Sequence, residues 1–275
     1  MRVGKKIGVL LLIALGLAQG LRADERLFGY SYLAEVLPKG EGEFEQWITN
    51  LQGHDQGIFS RWQVREEFEA GLTDRLSASL YLNLNSVYES QLDLGTGLVT
   101  TTNEFEFDGI STEWKYLVLS PDTDKLGVLL YFEPRYSSTE LEFEVKLVLQ
   151  KNLGEDWVAA LNLVGENEYQ YTATSQEVVG KGQVTAGLAF RMTPKSSVGL
   201  ELVNDRVWPD QWGYEAWNTW YLGPSFHYAA PKWWVTFSLL PQVHGSPETI
   251  QGDGRYLADD DAARMQTRLI MGVNF

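Results

Sequence analysis

Cysteine is absent from the 275 residues. That excludes disulfide staples, thiolate metal sites and thiol nucleophiles. Long apolar runs are absent too, apart from Ile7 to Leu17, so no other segment is suited to cross a bilayer as a helix. Positive charge is scarce: 22 Lys and Arg stand against 37 Asp and Glu, a formal −15. Phosphate neutralisation needs the opposite sign, which argues against a nucleic-acid partner. Only three histidines occur, His54, His227 and His244. No phosphate-cradling glycine loop, metal-ligand spacing or nucleophile elbow is found, so neither cofactor nor metal is expected.

What the chain has instead is a period of two. Leu76, Ala78, Leu80, Leu82 and Leu84 alternate with Ser77, Ser79, Tyr81, Asn83 and Asn85. Leu141, Phe143, Val145, Leu147 and Leu149 alternate with Glu142, Glu144, Lys146 and Gln150. Such spacing puts apolar groups on one face of a strand and scatters them around a helix. The pattern predicts strands at 43–51, 58–72, 75–88, 104–119, 126–137, 139–151, 157–171, 179–192, 196–207, 216–229, 233–244 and 262–275. Around Gly109 the apolar phase shifts by one residue, which predicts a bulge there. Tight turns at 73–74, 121–125, 152–156, 193–195 and 230–232 alternate with polar segments, mostly longer, at 52–57, 89–103, 172–177, 209–214 and 245–261. The fold expected is all-β: a transmembrane antiparallel up-and-down barrel of about twelve strands, with the tight turns in the periplasm.

The two ends agree. Arg2, Lys5 and Lys6 precede the apolar run, and the small residues Ala18, Gly20 and Ala23 follow it. This is the layout of a signal peptide, cut after Gly20 or after Ala23, with Ala23 preferred. Removing residues 1–23 leaves 18 basic residues against 37 acidic. The domain organisation expected is a leader at 1–23, an arm at 24–42 and a barrel at 43–275. The arm can add a short strand, fold into the lumen or follow the periplasmic rim. The last strand alternates Leu269, Met271 and Val273 with Arg268 and Asn274 and stops on Phe275.

Leader, amphipathic strands and terminal Phe275 together resemble bacterial outer-membrane β-barrel proteins. The stretch Leu37-Pro38-Lys39-Gly40-Glu41 is similar to the opening of uncharacterised barrel families. The resemblance implies the cell outer membrane as location, with outer-membrane lipid and lipopolysaccharide around it. It also implies that barrel-assembly machinery reads Phe275.

Function then falls to the inward positions. The candidates for a pore constriction are Arg61, Arg65, Glu67, Glu113, Lys115, Glu133, Arg135, Glu144, Arg191 and Arg268. Inward acids and bases come out nearly balanced. They either pair and plug the lumen or line a water-filled pore with a transverse field. Glu66 falls on the lipid-facing phase, beside an interface, a bulge or a subunit contact. The leading expectation is a passive, porin-like channel for small polar solutes, and not an enzyme. The alternative is a non-conducting structural or surface-interaction barrel working through loops 89–103 and 245–261. The least favoured is a lipid-modifying enzyme using His244 and Ser246, where Pro247 breaks the pattern of outer-membrane phospholipases.

Overall fold

The computed structural model describes residues 26–54, 57–92, 96–172, 174–210, 212–246, 249–250, 256–258 and 262–275. The expected leader lies outside them, as does Pro247. Fourteen strands follow in chain order: β1 (Gly42–Gln52), β2 (Ile58–Thr73), β3 (Leu76–Leu92), β4 (Val99–Leu119), β5 (Gly127–Tyr136), β6 (Glu140–Leu153), β7 (Trp157–Tyr171), β8 (Gln176–Thr193), β9 (Ser196–Trp208), β10 (Trp217–Ala230), β11 (Trp233–Ser246), β12 (Thr249–Ile250), β13 (Tyr256–Leu257) and β14 (Met265–Asn274). All but β12 and β13 form one closed antiparallel barrel, and those two make a small ladder of their own.

Closure happens between the ends of the chain. β14 pairs with β1 over Glu43↔Asn274 to Gln52↔Met265, and Phe275 and Gly42 exchange backbone hydrogen bonds at 2.9 and 3.2 Å. No strand edge is then left along the wall, which hydrocarbon would require. The outward phase carries exposed Leu80, Leu130, Phe132, Leu163, Leu200 and Phe237. A belt of this size is unsuited to water and fits lipid. Among the described residues no helix is long and apolar enough to cross a membrane. Glu66 sits on this face and accepts a hydrogen bond from Gln46 of the paired strand at 2.9 Å, so its carboxylate is partnered sideways along the wall.

The bulge falls where the phase shift put it. Gly109 has φ +96°, and the β3–β4 register slips between Leu82 and Leu84. A Cβ at Gly109 would lie 2.2 Å from the Tyr136 carbonyl oxygen, so glycine alone fits. Two expectations about loops need correction. The segment 89–103 is largely strand, because β3 runs to Leu92 and β4 starts at Val99. The segment 172–177 is not long: Thr172 donates its N–H to the Ser175 carbonyl, and β8 already begins at Gln176. Polar composition had hidden both, since Thr, Asn and Glu fill exposed strand as readily as loop.

The arm chooses the lumen. Leu37 to Gly42 first make a tight turn: Glu41 donates to the Pro38 carbonyl, Gly40 to that of Gly71, and Gly71 to that of Glu41. Gly71 has no Cβ to spare, since one would lie 2.0 Å from the Pro38 oxygen. From that turn residues 26–37 fold inside the barrel, and Leu27, Phe28, Tyr30, Tyr32, Leu33, Ala34 and Leu37 are all buried.

Candidate functional site

The lumen has two halves, and the arm divides them. Toward the tight turns the wall carries inward aliphatic residues, which a water-filled barrel would not use. Leu27, Phe28 and Leu33 pack on Val158, Ala160 and Ala189. Tyr30 packs on Val203, Tyr221 and Leu240. Tyr32 and Ala34 join Trp47, Leu129, Val148 and Ile270. Space for the Phe28 ring comes from two inward glycines. A Cβ on Gly187 would lie 2.6 Å from the ring, and one on Gly199 3.0 Å from it.

Burying apolar side chains gains about 1.5–3 kcal/mol each, while ordering each backbone residue costs about 1–2 kcal/mol. Those terms nearly offset, so the arm's peptide hydrogen bonds decide whether it stays. The wall supplies acceptors for them. Glu201 takes three successive N–H groups: Gly29 at 3.1 Å, Tyr30 at 2.8 Å and Ser31 at 2.7 Å. Ser238 donates its hydroxyl to the same carboxylate at 2.8 Å. Asn162 grips Tyr32 twice, accepting from its N–H at 2.6 Å and donating to its carbonyl at 3.0 Å. Gln150 accepts from the Ala34 N–H at 2.8 Å. Arg26 then reaches Glu45 at 2.9 Å and Glu67 at 3.6 Å.

Three of the expected constriction residues belong to this lower network. Glu67 accepts from the Trp47 indole at 3.1 Å and Lys115 pairs with Glu69 at 2.8 Å. Glu113 accepts from Tyr81 at 2.6 Å. All three are buried among arm and wall, and none lines an open constriction. Arg191 sits elsewhere again. It lines a cavity of about 770 Å³ at the tight-turn mouth, with Leu37, Pro38, Pro121 and Lys195.

The other half is a charged vestibule of about 260 Å³, floored by the Tyr30 and Tyr32 rings. Arg65, Glu133, Arg135, Glu144 and Arg268 all line it. Arg65 pairs with Glu133 and lies 4.1 Å over the Tyr81 ring. Arg135 bridges Asp108, Glu140 and Glu142, and Lys146 meets Glu144 at 2.7 Å. Arg61 stands above, half-buried, its guanidinium 5.8 Å from the Phe59 ring, and does not line the cavity. The balance expected of the lumen does not hold. Glu43 and Glu45 on β1, Asp108 on β4, and Glu140 and Glu168 add inward acids, and Lys181 adds one base, which meets Glu166 at 2.9 Å. Carrying the alternation two residues further back along β8 and forward along β7 finds Lys181 and Glu168.

Among the described residues two carboxylate triplets come within 4.8 Å, Glu45 with Glu67 and Glu69, and Glu140 with Glu142 and Glu168. Each already holds cationic side chains, Arg26 and Lys115 in one, Arg135 and Lys181 in the other. Ion pairing accounts for both without a metal. His244 is exposed at the outer end of β11, and Ser246 ends that strand.

Residues 21–275 match the profile described as Family of unknown function (DUF6662). No curated protein matches. Among solved structures the NanC porin is similar, with a TM-score of 0.54 and 9% identity over 84% of this chain and 98% of that one. The KdgM porin gives 0.48 and 10% over 85% and 98%. The translocator domain of the autotransporter NalP from Neisseria meningitidis gives 0.45 and 10% over 86% and 87%. At such identity the NanC likeness speaks for the closed antiparallel barrel and for nothing finer.

Proposed function

The chain belongs to the DUF6662 family of unknown function, and we propose that it is an outer-membrane, porin-like barrel for small polar solutes, shut at rest by its own N-terminal arm. The leader expected at 1–23, the apolar outer belt and the one-sided tight turns support an outer-membrane place, with those turns in the periplasm. Phe275, exposed at that rim, is the residue offered to the assembly machinery, and lipid and lipopolysaccharide surround the belt. The observation that carries the reading is the seat of the arm on Glu201, three peptide N–H groups on one carboxylate. A permanently open passive channel does not fit an arm held this way.

The cysteine-free chain allows a clean test. A Cβ at Gly29 would lie 2.9 Å from that of Ser238, closer than the roughly 3.5–4.5 Å of a disulfide, so a small shift of the arm away from β11 lets the bridge form. The mature protein with Gly29→Cys and Ser238→Cys is refolded into planar bilayers. Oxidised, it is expected to stay silent. Reduced and carrying Glu201→Ala, it is expected to show discrete conductance steps. Steady conductance in the oxidised state would sink the closed reading. A second reading, the non-conducting structural barrel, is favoured by the depth of the arm's burial. It takes over if deleting residues 26–37 still leaves the folded barrel silent.

A further inference from the structure

The vestibule above the arm is polarised across its diameter. Arg268 lies on β14, and β14 is six strands from β6 in either direction around the barrel. Glu142 and Glu144 therefore stand on the wall opposite Arg268. On the arc from β4 to β8 the acids Asp108, Glu140, Glu142, Glu144, Glu166 and Glu168 outnumber Arg135, Lys146 and Lys181.

Arg268 itself is held by neutral groups. Its Nε donates to Thr49 Oγ1 at 2.8 Å and its Nη1 to the Gly29 carbonyl at 3.0 Å. The guanidinium lies 3.8 Å over the Tyr30 ring. Among the described residues no carboxylate lies within 4.0 Å of it; Asp205, whose charge it feels, is held instead by the Gln183 and Gln266 amides. Arg65, by contrast, is already spent on Glu133. A guanidinium fixed in place by neutral acceptors, with donors left over, is prepared for an anion.

We propose that this vestibule is a binding site for a small zwitterion. Its carboxylate seats on Arg268, and its ammonium faces the surplus of carboxylates around Glu142 and Glu144, which Arg135, Lys146 and Lys181 neutralise only in part. A single anion would meet the excess of acids on the far wall, and a single cation would meet Arg268. Only a solute with both charges matches both walls, and a volume of about 260 Å³ suits a molecule of amino-acid size. Because Tyr30 and Gly29 help form the site, the inference rests on the arm being seated.

The test is calorimetric titration of the full mature barrel at low ionic strength, with 4-aminobutyrate as probe and butyrate and butylammonium as single-charge controls. The zwitterion is expected to bind at least about tenfold more tightly than either control, the scale of one charge-assisted hydrogen bond. Arg268→Gln is expected to remove that advantage. Glu144→Gln, on the other wall, should do the same without touching the arm. Equal binding of zwitterion and butyrate would leave a simple anion site and overturn the proposal, as would no binding at all. Unchanged affinity in both variants would also overturn it. Conductance and protease protection of the arm, read on the same preparation, separate the two ideas: a barrel that conducts with its arm still protected and prefers the zwitterion sinks the closed reading and keeps the site.

Discussion

The two halves of the lumen solve one problem in different ways. Both line a barrel with polar side chains that face inward and must be satisfied. The lower half satisfies them with another stretch of backbone. Glu201, Asn162 and Gln150 are acceptors aimed at peptide N–H groups, and the aliphatic residues between them cover Phe28 and Leu33. The upper half satisfies them with each other, through Arg65–Glu133, Lys146–Glu144 and the Arg135 cluster. The difference lies in what each half can lose. Backbone donors cannot turn to another partner when a wall acceptor is removed. Long charged side chains beside water can.

Glu201→Ala is therefore the largest single lesion expected. It strands the buried Tyr30 and Ser31 N–H groups at once, the Ser238 hydroxyl loses the same acceptor, and the Gly29 N–H is left with Ser238 Oγ at 3.0 Å alone. Each hydrogen bond to a charged group is worth about 1.5–3 kcal/mol, and they fail together, so a loss of about 4 kcal/mol or more is expected for the seated arm. The measurement is urea unfolding in detergent micelles, with protease cleavage of the arm as a second readout. If Glu201→Ala unfolds at the wild-type midpoint with the arm still protected, the contrast between the halves is wrong.

Gly187→Val comes next. The added atoms enter the Phe28 ring, since the Cβ alone lies 2.6–2.8 Å from it. Overpacking of this kind costs about 1–3 kcal/mol. Phe28→Ala on its own leaves a cavity, which costs about 3–5 kcal/mol in a rigid core. Combined, the two changes should be less harmful than their sum, because valine fills part of the space the ring has left. Strict additivity in that cycle would mean that the ring and the glycine notch are not in contact.

The sequence disclosed the barrel far better than its contents, for a physical reason. Lipid on one side imposes a strict period of two, so strand positions, the Gly109 bulge and the β1–β14 closure could be read from apolar spacing. The arm's peptide N–H groups are held by residues 116 to 209 positions away, and periodicity carries no such signal. A trace was still present. Leu129, Val148, Val158, Val203 and Leu240 are aliphatic yet fall on the inward phase, where a water-filled pore has no use for them. Together with the alternating Phe28, Tyr30 and Tyr32, they mark an occupant. The vestibule was more legible, because charged side chains at inward positions of neighbouring strands are bound to meet. Arg191 lies apart from them: its phase is inward, but its position near the end of β8 puts it at the mouth.

The smallest effect is expected in the upper half, where Arg65 and Glu133 form a pair. The Arg65 side chain is 28% exposed, so water and ions reach it, while the Glu133 side chain is only 4% exposed. Such a half-open pair contributes about 1 kcal/mol, and salt screens it from the open side over about 10 Å at 0.1 M. A double-mutant cycle of Arg65→Gln and Glu133→Gln should therefore give a small coupling that shrinks further as salt is added. Glu201→Ala should be nearly insensitive to the same salt, because its partners are buried, uncharged groups, three peptide N–H groups and the Ser238 hydroxyl. The pair of salt series is the sharper measurement. A coupling between Arg65 and Glu133 that salt does not reduce would mean that the vestibule is as dry as the arm's seat. The two halves would then be one continuous plug rather than a plug and a wet cup.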